Sequence, residues 1–265
     1  LPRSVYYYWA KNSGALPYAA EMQVIKEVFH EHRGRYGYRR VALALKALGY
    51  TLNHKTVQKL MGHMNLKSLV RPKRYKSYRG EIGRIADNVL RRGFQADEAN
   101  KKWVSDVTEF NIRGEKVYLS PILDLYNQEI IAYEADTRPT YRMVQKMLNT
   151  AIGQLRPHEA PIIHSDQGWQ YQMKGFQRSK KDRGITQSMS RKGNCLDNAV
   201  AENFFGHFKE EFLRQHTFTN MAQFKRELEK YIHWFNHERV QLKLNGLSPV
   251  DYRTQTIRDL KPTPH

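Results

Sequence analysis

The chain is poor in cysteine, in acidic residues and in long apolar runs. Cys195 is the one cysteine among 265 residues, so no disulfide closes within the chain and no cysteine-ligated zinc finger can form. No apolar run reaches the roughly 18 residues of a membrane span. The start, LPRSVYYYWAKNSG, has aromatic residues but no apolar signal-peptide core. A reduced, intracellular setting with no membrane partner is expected, and a start at Leu1 instead of Met suggests the C-terminal part of something longer. Asp and Glu number 26 against 44 Lys and Arg, a formal net charge of +18. So large a shortage of negative charge points to a polyanion partner, most often nucleic acid. Hydrophobic residues make up 40% and aromatics 12%, enough for a packed core and against wholesale disorder.

The first 66 residues are patterned as helices. AAEMQVIKEVFHEH puts Met22, Ile25, Val28 and Phe29 on one face. GRYGYRR breaks that pattern, YRRVALALKALGY gives a second helix closed by Gly49, and TLNHKTVQKLMGHMNL gives a third with Asn53 as N-cap. Helix, glycine-containing turn and helix outline a helix-turn-helix. Lys55, Gln58, Lys59 and His63 on the last helix suit a DNA groove. An ordinary three-helix bundle with a basic surface is the competing explanation. Residues 67–98 read as a basic linker, in which Arg71, Lys73, Arg74 and Lys76 alternate with tyrosines. Such a stretch can hold phosphates while the rings stack or pack; a solvated charge run explains it as well.

The composition changes near residue 100, and residues 99–256 are expected to form an α/β core, with a tail at 257–265. KKWVSDVTEFNI, EKVYLSPILDLYN and QEIIAYEADT read as three strands joined by short polar turns, which favours antiparallel pairing. Helix, strand, helix, strand and two helices follow, ending in a long helix from about Asn220 to Val240. Three strands followed by alternation mean a mixed five-stranded sheet flanked by helices.

Three acids stand out. Asp106 falls in the middle of the first strand, Asp166 just past the strand APIIHSD, and Glu202 on the helix of SRKGNCLDNAVAENFFGHFKEEF. That helix has the stripe Ala201, Phe204, Phe205, Phe208 and Phe212. Glu202 and Lys209 lie at its edge, within about 20° of each other in projection, whereas Glu210 and Glu211 are expected to face solvent. An acid inside a strand is unfavourable for propensity and burial, and clustered carboxylates repel unless cations neutralise them. Hard cations such as Mg²⁺ take oxygen ligands, and a pair of them serves phosphodiester chemistry. Asp124 is expected to be structural, and Asp197 to complement its helix dipole. Asn198 projects near Glu202, where it can orient metal ligands or DNA. His164 is expected to be a satisfied buried histidine, and Trp103 and Trp169 to pack.

The stretches KWVSDVTEF, HSDQGWQY, SMSRKGNCLDNAVAENFFGHFKEE and YIHWFNHERVQLKLNGLSPVDY closely resemble the IS-three family of bacterial insertion-sequence transposases. HRGRYGYRRVALALKALGYTLNHKTVQKLM resembles that family's helix-turn-helix region. The likeness runs from about residue 25 to 253, with 35 residues between Asp166 and Glu202. It implies a ribonuclease-H-like, retroviral-integrase-like core in which Asp106, Asp166 and Glu202 ligate two Mg²⁺ or Mn²⁺ ions. It also implies that Lys209 meets DNA at the element end. The expected partners are duplex DNA with terminal inverted repeats, target DNA, and at least one further copy of the chain in a synaptic complex. The expected place is the bacterial cytoplasm, at the nucleoid. Retroviral integrases carry a His-Cys zinc domain, which one cysteine rules out here. The family's upstream frame supplies another helix-turn-helix and a leucine zipper, and neither is evident in this sequence. A catalytically silent repressor and a ribonuclease-H-type nuclease are the alternatives.

Overall fold

A computed structural model describes residues 18–69, 86–90, 93–190 and 199–259. The chain divides into two compact units, residues 1–71 and 72–265.

In the first unit three helices, α1 (Ala19–Glu31), α2 (Tyr38–Ala47) and α3 (His54–His63), pack on one another. Ile25, Val28, Phe29, Tyr36, Val41, Leu45, Val57, Leu60 and Met61 form their buried core. Gly49, at φ +89°, ends α2 in a backbone conformation that favours glycine. Asn53 caps α3, its side chain accepting from the Lys55 N–H. Lys55, Gln58, Lys59 and His63 are all exposed.

The second unit is built on one mixed sheet. Its strands are β1 (Lys102–Ser105), β2 (Thr108–Ile112), β3 (Glu115–Asp124), β4 (Ile130–Asp136), β5 (Ile162–Ser165) and β6 (Thr186–Met189). β1 and β2 both pair antiparallel with β3 in one unbroken register: Ser105 faces Ile122 and Thr108 faces Leu119. They form one ribbon interrupted at Asp106 and Val107. The six strands therefore make five ribbons, with β4 on the far side of β3, and β5 and β6 running parallel to β1. The interruption falls opposite Pro121, which has no N–H to give to a ladder. Asp106 is thus not in the middle of a strand, as its alternating neighbours suggest. It lies in a break, and its own carboxylate accepts the Val107 N–H at 2.7 Å.

The helices are α4 (Tyr141–Gly153), α5 (Lys174–Lys181), α6 (Ala199–Glu211), α7 (Met221–His237) and α8 (Pro249–Asp259). The last is not anticipated by hydrophobic periodicity, because PVDYRTQTIRD is largely polar. Met143, Val144, Met147, Leu148 and Ala151 of α4 bury against Trp103, Ile122, Ile131 and Ile163 of the sheet. Phe204 and Phe208 of α6, and Phe212 just past it, meet Phe224, Tyr231 and Phe235 of α7 in a second, aromatic core. Phe110 of β2 joins it, 5.7 Å from Phe208 and 5.4 Å from Phe224. Each such ring buried contributes roughly 1.5–3 kcal/mol, which fixes α6 beside the sheet end where β1 stops.

Candidate active site

Strand register brings two of the acids together. β1 and β5 are parallel, with Lys102 beside Ile162, Trp103 beside Ile163 and Val104 beside His164. Extended two residues beyond the last of these pairs, that register brings Asp106 level with Asp166, just past the C-terminal ends of the two strands. Parallel neighbours lie about 5 Å apart. The interval of 60 residues between these acids in the sequence is therefore the register offset itself.

The turn after β5 is shaped around Asp166. Its Oδ1 accepts the Gly168 N–H at 2.9 Å. A Cβ at Gly168 would fall 2.8 Å from that oxygen, so any larger residue there would displace the Asp166 carboxylate. Burial pushes the Asp166 carboxyl above its ordinary range, with the Gly168 bond acting against it. Tyr171 is fully buried nearby, its hydroxyl 3.0 Å from Ser105 Oγ. Burial holds that phenol well above its usual range, and the charges of Asp166 and Asp106 add to the effect. One buried hydroxyl thus feels both carboxylates.

Glu202 is half-buried in the first turn of α6, at the edge of the buried stripe Ala201, Phe204, Phe205, Phe208 and Phe212. Lys209 is exposed in the last turn. Among the described residues no three His, Cys, Asp or Glu side chains come together as a metal-holding group. Asp106 and Asp166 are thus brought level by strand register, and Glu202 lies on the helix that packs beside the end of β1. Cys195, Asp197 and Asn198 lie outside the described residues, as do Arg71, Lys73, Arg74 and Lys76. Two oxygen-donor side chains side by side, one of them pushed toward protonation by burial, still suit a hard divalent cation, which would neutralise them.

Asp124 lies at the opposite end of β1, beside Trp103. It accepts the N–H groups of Asn100 at 2.6 Å and Tyr126 at 2.9 Å, a structural role. His164 is buried, with Nδ1 2.9 Å from Ser188 Oγ. Trp103 packs in the core, but Trp169 does not pack: it is 51% exposed. Glu210 and Glu211 are buried rather than facing solvent, because Arg214 and Arg239 reach them. Gly168 and Tyr171 escape notice in the sequence; the signal available was a glycine two residues past an acid that ends an apolar strand.

Comparison with known proteins decides the family. Residues 96–195 and 202–257 match integrase core domains, and residues 17–74 match an HTH-like domain. The putative transposase InsK for insertion sequence element IS150 of Escherichia coli (strain K12) is 52% identical over 257 residues, 97% of this chain and 91% of that protein. The chain belongs to the IS-three family of insertion-sequence transposases. The transposase for insertion sequence element IS904 of Lactococcus lactis is 34% identical, over 86% of this chain and 91% of that one. Transposase InsF for insertion sequence IS3A of Escherichia coli is 28% identical, over 96% and 91%. A chain of the simian T-cell lymphotropic virus intasome, solved with PP2A regulatory subunit B56 gamma, superposes at TM-score 0.54 with 17% identity, covering 91% of this chain and 77% of that one. That likeness concerns the fold, which is ribonuclease-H-like with a helical HTH-like region before it. The protein is thus an insertion-sequence transposase with an integrase core, and DNA is its partner. No helix among the described residues is long and apolar enough to cross a membrane.

Proposed function

We propose that this transposase nicks the ends of its insertion sequence and joins them to new phosphodiesters at one two-metal site made by Asp106, Asp166 and Glu202. The observation that supports this is the parallel register of β1 and β5, which, extended past the strand ends, brings Asp106 level with Asp166. Two divalent cations, Mg²⁺ or Mn²⁺, would be held by the three carboxylates and would supply activation of the attacking oxygen and charge neutralisation at the phosphate.

In the first step water attacks the phosphorus at the element end, the P–O bond to the 3′ oxygen breaks, and a 3′-hydroxyl and a 5′-phosphate result. In the second, that hydroxyl attacks another phosphodiester, a new P–O bond forms, and the displaced 3′ oxygen takes up a proton. Nothing is oxidised or reduced. Lys209 meets a phosphate of the element end near Glu202, and Asn198 orients DNA or ligands beside it. Lys55 and Lys59 of α3 enter a groove of the terminal inverted repeat. Arg71, Lys73, Arg74 and Lys76 hold its backbone. Joining one element end to the flank of the other, with replication to a circle and later insertion, gives a copy-out–paste-in route. Two ends held at once require at least two copies of the chain.

The test is strand transfer in Mg²⁺ on a labelled duplex bearing the terminal repeat, wild type beside Glu202→Gln. Joined products from wild type, lost in the variant while DNA binding persists, are expected. Equal joining by both would overturn the assignment of Glu202. Binding without chemistry in either protein would favour a repressor.

A further inference from the structure

Glu211, at the last turn of α6, is fully buried, and so is Arg239, two residues beyond α7, with exposures of 0% and 1%. The guanidinium donates from Nε to Oε2 at 2.8 Å and from Nη2 to Oε1 at 2.7 Å. The Tyr231 hydroxyl donates to Oε2 at 3.3 Å, and His207 Nδ1 lies 3.7 Å from Oε1. Arg239 also sits over the Phe235 ring at 5.0 Å. Three residues before Arg239, Asn236 reaches the sheet. Its Oδ1 accepts the Ile130 N–H at 2.9 Å and its Nδ2 donates to the Ile130 carbonyl at 3.0 Å. The end of α7 is thus tied by Asn236 to β4, and the residues just past it are tied by Arg239 to Glu211, on the same helix as Glu202.

A buried ion pair is a poor device for stability, since apolar residues of like volume serve as well or better. Its best-attested use is to fix registry. The phenylalanine stripe also holds α6, and apolar burial is non-directional. It sets how deep the helix lies more than how it is rotated. Side-chain tips stand roughly 5–6 Å from a helix axis, so a turn of 20° moves a carboxylate by about 2 Å. A displacement of 1 Å can cost a reaction about 100-fold.

We infer that Glu211 and Arg239 are positioning residues: their bidentate pair sets the rotation of α6 and so presents Glu202 to Asp106 and Asp166. This rests on the proposed active site. The test uses the full chain with Glu211→Leu and Arg239→Met together, and follows Mn²⁺ binding by EPR, the unfolding midpoint, terminal-repeat binding and strand transfer. A folded double variant with wild-type DNA affinity, but Mn²⁺ affinity and strand transfer each reduced tenfold or more, is expected. A double variant that binds Mn²⁺ and joins DNA as wild type does would overturn the inference. So would one that fails to fold, because the pair would then serve stability. Glu202→Gln run in parallel separates the two levels: if it keeps wild-type Mn²⁺ affinity, Glu202 holds no metal, and the active-site assignment fails with the inference that rests on it.

Discussion

Asp106 and Asp124 sit at opposite ends of β1 and do opposite things. Asp124 satisfies two backbone N–H groups in the interior, and burial raises its pKa from 3.8 to about 6 despite those bonds. A carboxyl that holds its proton more firmly when folded contributes stability fully present below pH about 4, which is lost as pH rises through 6. The stability advantage of wild type over Asp124→Asn should therefore shrink, by about 1 kcal/mol, between pH 5 and pH 7 in urea unfolding. A constant gap would show that Asp124 does not titrate there. Of the residues that matter, Asp166 was legible because an apolar run ends at it. Asp106 was legible as an acid out of place, but not as a break, since the cause lies in its pairing partner Pro121. Glu211 looked solvent-facing by helical projection, because its partner Arg239 is 28 residues further on.

At the level of elements, the interruption between β1 and β2 is what frees Asp106 from the ladder. Pro121→Val restores a donor at similar volume in a buried, central position. Its expected effect is a ladder continued through Asp106 and Val107, an unfolding midpoint no lower than wild type, and strand transfer down tenfold or more. Undiminished strand transfer would show that the break is dispensable. In the first unit, Asn53→Ala removes the α3 cap and should cost about 1 kcal/mol in chemical denaturation. No measurable change would mean that Asn53 does not cap α3 in solution. The helices with strong apolar stripes, α1 to α4, α6 and α7, could be read from periodicity. α8 could not, because its sequence is largely polar; Asn127 Nδ2 donates to the Pro249 carbonyl at 3.0 Å and Arg253 pairs with Glu129 at 2.9 Å.

For the whole molecule, a net charge of +18 predicts DNA binding that weakens steeply with salt, as phosphate contacts release counterions. Replacing Lys55 and Lys59 with alanine should lower the slope of log affinity against log salt by about 2. An unchanged slope would take α3 out of the DNA interface. The charge was visible in composition and the succession of strands and helices in hydrophobic periodicity, whereas the ribonuclease-H-like fold was implied by the family resemblance. The pairing of Asp106 with Asp166 needed the register of β1 and β5. The most direct measurement is therefore nicking of the terminal-repeat duplex in Mg²⁺ by Asp106→Asn and by Asp166→Asn, with a folded Asp124→Asn as control. The control should cut and the two others should not, although all three bind DNA. Cutting by either Asp106→Asn or Asp166→Asn would contradict a reaction centre at the paired strand ends.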